Sequence, residues 1–110
     1  MVKINNKELD FDVFDLDSSK RFEKGLIEIA EKADRLDSEN VSFYDGSLAL
    51  FQVITKFFDS VVYDGASNTI FGKETNLKTA IKAFREFTDY VNEEKRQLNN
   101  ELSLITKNMK

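Results

Sequence analysis

The sequence predicts a mainly α (α+β) fold: an N-terminal β-hairpin packed on three helices, the last of them long. Two observations carry this. Apolar residues alternate with polar ones over the first thirteen positions, and thereafter recur every three or four residues over three longer stretches. A third sets the scale of the core. In 110 residues there are ten Phe and three Tyr, enough for one modest apolar interior.

Residues 1–14 read as the hairpin. Val2 and Ile4 alternate with Lys3 and Asn5, and Leu9, Phe11 and Val13 alternate with Glu8, Asp10 and Asp12. Asn5-Asn6-Lys7 stands between the two runs, and Asn tolerates the positive φ of a tight turn. Two strands alone are marginal, so the Ile4, Leu9, Phe11, Val13 face should lie on the helices.

The first helix spans 18–36. Asp15 or Asp17 can accept from its free N–H groups, as can Ser18 and Ser19. Phe22, Leu26, Ile29, Ala30, Ala33 and Leu36 form one stripe, with Glu23, Lys24, Glu28, Glu31, Lys32 and Asp34 on the wet face. Gly25 costs such a helix about 1 kcal/mol relative to Ala, which points to close packing of a neighbour there.

Asp37-Ser38-Glu39-Asn40 is a polar turn from which Ser38 can cap a second helix over 41–63. Its apolar set, from Phe43 through Leu48, Leu50, Phe51, Ile54, Phe57 and Phe58 to Val62, is wider than one side. That width suits a central helix with a partner on each side. Gly65 supplies a left-handed stop with Ala66-Ser67-Asn68 as loop, and Thr69-Ile70-Phe71-Gly72 reads as a plug over the open end of the core.

Thr75 or Asn76 caps the last helix, 76–107, where Leu77, Phe84, Val91, Leu98 and Ile105 recur every seven residues. Up to Tyr90 its stripe is broad and aromatic. Beyond Val91 it narrows to Leu98, Leu102, Ile105 and Met109. Such a helix is about 50 Å long, whereas a domain of this size has a radius of gyration near 13 Å. The last turns should therefore overhang, and an overhanging apolar seam pairs with another chain or frays. Val91, Leu98, Leu102 and Ile105 are the candidate residues for partner or self contact. Charge divides along the chain in the same sense. Residues 1–40 carry seven basic and eleven acidic side chains, and residues 73–110 carry eight and six.

Composition removes most chemistry. Without His or Cys there is no imidazole base, thiol nucleophile or zinc-thiolate site, so no enzyme activity, cofactor or metal is expected. A net charge of −4 argues against phosphate neutralisation and hence against nucleic-acid binding. No apolar run approaches the roughly 20 residues of a membrane span, and no signal segment is visible, so a cytosolic place is expected. Asp10, Asp12, Asp15 and Asp17 fail the calcium-loop spacing, since Phe14 and Asp15 fall at its fifth and sixth positions. They read as the wet face of a strand followed by capping candidates. Asp59 with Asp64, and Glu93 with Glu94, could form carboxylate pairs, but neither lies beside an activated nucleophile.

Certain segments are familiar. Lys3-Ile4-Asn5-Asn6, Phe11-Asp12-Val13-Phe14-Asp15, Arg21-Phe22-Glu23-Lys24, Ile70-Phe71-Gly72, Asn76-Leu77, Ala83-Phe84 and Val91-Asn92 together resemble a family of short proteins of Gram-positive bacteriophages and prophages, encoded among tail genes. The resemblance implies a nonenzymatic tail assembly chaperone in the cytoplasm of the bacterial host. Its partner would be the long helical tape-measure protein, and it would form a homo-oligomer. Nothing in these residues resembles the frameshifted long form of the better-known tail chaperones. The alternative from the residues is a phage-encoded regulator or inhibitor that docks its acidic N-terminal segment on a host protein.

Overall fold

The computed structural model describes residues 1–38 and 40–108, so Glu39 of the first polar turn and Met109 of the distal seam lie outside the described residues. The elements are β1 (Val2–Ile4), β2 (Lys7–Leu9), α1 (Leu16–Ser38), α2 (Phe43–Val61), α3 (Ala66–Phe71) and α4 (Leu77–Asn108). The fold is mainly helical with an antiparallel two-stranded hairpin, as the periodicities predict.

β1 and β2 pair with Val2 opposite Leu9 and Ile4 opposite Lys7, leaving Asn5-Asn6 as a two-residue turn. Asn5 and Asn6 have φ of 51° and 64°, the paired left-handed values a right-twisted hairpin requires. Lys7 belongs to the ladder and not to the turn. The ladder closes at Leu9, and Phe11 and Val13 stay buried in the segment that follows it. The Asn5 side chain donates to the Ile70 carbonyl at 2.9 Å, which fastens the turn to α3.

Asp15 is the cap of α1: its carboxylate accepts from the N–H groups of Asp17 at 3.0 Å and Ser18 at 3.2 Å. Arg21 donates through Nε to the Val61 carbonyl at 3.2 Å, placing a cation on an unsatisfied carbonyl at the end of α2. Gly25 faces the side chains of Phe57 and Val61, which leave no room for a side chain at this position. The stripe on α1 is less buried than its spacing suggests. Phe22 is in the core, Leu26, Ile29 and Leu36 are half-buried, and Ala30 and Ala33 are exposed.

The cap of α2 is Ser42, whose hydroxyl accepts from the Asp45 N–H at 3.1 Å. Ser38 does not hold that role, because α1 continues through it. Four helices replace the anticipated three. The stretch read as loop and plug is α3, started by Gly65 at φ +91° and fixed by Asp59, which accepts from the Ser67 N–H at 2.8 Å and its hydroxyl at 3.0 Å. Ile70 and Phe71 do close the core, but from a helix. Asn76 caps α4 by accepting from the N–H groups of Lys78 and Thr79.

The core is an aromatic cluster around Phe57, Phe58 and Phe87. Phe11 and Phe84 approach it with ring centroids 5.0 Å from Phe87 and 5.1 Å from Phe57, and Phe22 and Phe71 complete it. Tilted and edge-on pairs of this kind each contribute about 0.5–1.5 kcal/mol beyond area burial. The central position of α2 is observed, packed between α1 and α4, with α3 at its far end.

Candidate interaction surfaces at the two ends

Among the described residues, exposed apolar side chains gather at opposite ends of a molecule measuring 59 × 30 × 21 Å. Its radius of gyration is 16.3 Å, against about 13 Å for a compact chain of this length. The excess comes from α4. At ~1.5 Å per residue its 32 residues extend about 48 Å, well past the aromatic cluster.

Contacts along α4 show where the support ends. Ala80, Ala83, Phe87 and Val91 are buried against α2, the hairpin and α1. Four residues later the Lys95 ammonium lies 5.5 Å above the Phe22 ring, a cation–π contact at the start of α1. From Gln97 through Lys107 every residue is exposed. Leu98, Leu102 and Ile105 lie on this overhang, with Leu102 49% and Ile105 56% exposed. Val91 is the exception among the candidate contact residues. It is fully buried in the protein's own core, because the supported part of α4 runs one turn further than the narrowing of the stripe implies.

The overhang has few charges. Between Gln97 and Thr106 the only ionised side chain is Glu101, the rest being Leu, Ile, Asn, Gln, Ser and Thr. Just before it, Glu93 pairs with Arg96, and their hydrogen bonds lower the Glu93 carboxyl and raise the Arg96 guanidinium from their ordinary pKa values.

The second surface is a groove of about 310 Å³ at the opposite end. Its walls come from α1 (Ala33, Leu36), α2 (Phe43, Gly46, Leu50) and the first residue of α4 (Leu77). Phe43 is 91% exposed at its rim. The sequence reading placed Phe43 and Leu48 in the core because they continue the stripe of α2. They escape it because full burial of α2 starts only at Ile54, beyond its first three turns. The small residues Ala33, Gly46 and Ser47 were the available signal of a depression.

The carboxylates have structural occupations. Asp15 and Asp59 cap helices, Asp12 accepts from the Phe14 N–H at 3.0 Å, and Glu93 holds Arg96. Among the described residues, three or more metal-ligating side chains nowhere gather. In those residues no helix is long and apolar enough to cross a membrane.

Fold and surfaces together define a small helical protein with exposed apolar residues at both ends. The chain belongs to the DUF6673 family, described as a family of unknown function, whose model matches residues 5–109. No curated protein and no solved structure matches it.

Proposed function

We propose that this chain is a nonenzymatic bacteriophage morphogenesis protein, a tail assembly chaperone that shields the tape-measure protein in the cytoplasm of the bacterial host. The observation that carries the reading is the unsupported, charge-poor seam Leu98, Leu102, Ile105 on distal α4. A tape-measure protein is a long helix with apolar seams, and an amphipathic helix covers such a seam by packing along it. The resemblance of the sequence to short phage tail proteins supplies the partner class.

The test is co-expression of the full chain with the tape-measure protein of the same phage, followed by affinity capture. The reading requires that they copurify and that removal of residues 97–110 abolishes capture; capture unchanged by the truncation contradicts it. Loss of capture on Asp10→Lys with Asp12→Lys, with the truncation silent, would instead favour docking through the acidic N-terminal segment.

A further inference from the structure

We infer that the groove formed by α1, α2 and the start of α4 receives the distal α4 seam of a second copy, joining molecules head to tail. The inference rests on the reading of distal α4 as a contact surface and adds what covers it.

The first argument is distance. Leu77 lines the groove and Leu102 lies 25 residues along the same helix, about 38 Å away. A continuous helix cannot bend its own end back into that groove. If this protein fills the groove, another copy does so.

Shape favours this pairing over two distal helices side by side. At about 100° per residue, Leu98, Leu102 and Ile105 fall within an arc of about 60°, while the exposed Leu104 lies a further 100° round. A ridge with apolar contacts on two sides suits a concave acceptor. Seating between three walls covers the ridge on more than one side. The depression is shallow and open, and it is lined by the apolar side chains of Leu36, Phe43, Leu50 and Leu77.

Charge is compatible as well. Depletion of charge marks the centre of interfaces, and both surfaces show it. Among the described residues, Asp37 is the one ionisable residue lining the groove, and Lys107 follows the ridge on α4. The two can meet at the rim. Because the two surfaces differ, the contact is heterologous, and repetition gives an open chain or a closed ring.

Sedimentation velocity on the purified full chain and two variants tests this, with no other protein present. Phe43→Asp disables the groove and Leu102→Asp the ridge. Both positions are exposed, so circular dichroism should be unchanged, and Ser47→Asp, which lines the groove, with Ile105→Asp provides a second pair. Wild type should associate with rising concentration, and each variant should weaken association at least tenfold. An equimolar mixture of the two variants should form a heterodimer that grows no further, since each retains one intact half. Wild type that stays monomeric, a Phe43→Asp variant that associates like wild type, or a mixture that stays monomeric each overturns the inference. Capture of the tape-measure protein is measured separately, so either idea can fail without the other.

Discussion

Gly25 and Phe57 are in such close approach that a Cβ at position 25 would lie 2.8 Å from Phe57 Cδ2, and equally close to Val61 Cγ2. The Phe57 ring packs against Phe22, Phe58, Phe84 and Phe87, so making room for that Cβ means shifting the aromatic cluster. The glycine in α1 thus sets how closely α1 and α2 pack, and with it the depth of the core.

Gly25→Ala gains up to about 1 kcal/mol of helix propensity but forces overpacking that costs typically about 1–3 kcal/mol. The expected result is a net loss of about 1–2 kcal/mol, read as a lower urea midpoint. A more stable variant would show that the helices can separate freely.

Asn5 combines a φ of 51° with a hydrogen bond to the Ile70 carbonyl. Asn5→Ala removes the bond and leaves Ala in a left-handed conformation, for a loss of about 1–3 kcal/mol. Asn6→Gly keeps the turn and removes the strain at φ 64°, so it should be neutral or stabilising by up to about 1 kcal/mol. Thermal unfolding of the pair separates the two roles.

These contacts also show how far the sequence could be read. The Gly25 contact, the Asn5-Asn6 turn and the central place of α2 follow from local rules: a glycine inside a helix, two asparagines between alternating runs, a stripe wider than one side. α3 was missed because what holds it is not local. Asp59, eight residues before Ser67, supplies the cap, and Gly65, which reads as a stop, also begins the next helix. Val91 and Phe43 were misplaced in opposite directions for one reason. Periodicity shows which face of a helix is apolar but not how far the neighbouring elements reach along it. At the candidate surfaces the ridge was visible as a change in stripe width, whereas the groove depends on where α4 starts and was not.

Tyr90 gives a pH dependence. Tyr90 is half-buried as a residue, and its hydroxyl pKa is raised above the ordinary value of 10.0, first by burial and then by the negative charges of Glu94 and Asp12. The folded state holds this proton more tightly than the unfolded one. Its contribution is therefore complete below the ordinary tyrosine value and is lost as pH rises through the folded value. Tyr90→Phe should flatten the fall in stability above about pH 10, measured by urea midpoints on either side of that value. An unchanged slope would assign the alkaline loss to other groups.

Deletion of 97–110 and Val91→Ala should behave oppositely. The overhang is exposed from Gln97 to Lys107, so its removal should change stability by less than about 0.5 kcal/mol, a shift of a few degrees at most. Val91 is fully buried, and truncating it should cost about 2 kcal/mol with association intact. Calorimetry with light scattering checks both.

The account turns on whether the end of α4 finds cover within its own molecule. Backbone hydrogen exchange of residues 97–108, followed across protein concentration, reads this directly. At the lowest concentration these amides should exchange far faster than those of 80–91, and they should slow by more than tenfold as the chain associates. Strong protection that is independent of concentration, in a species sedimenting as a monomer, would contradict it.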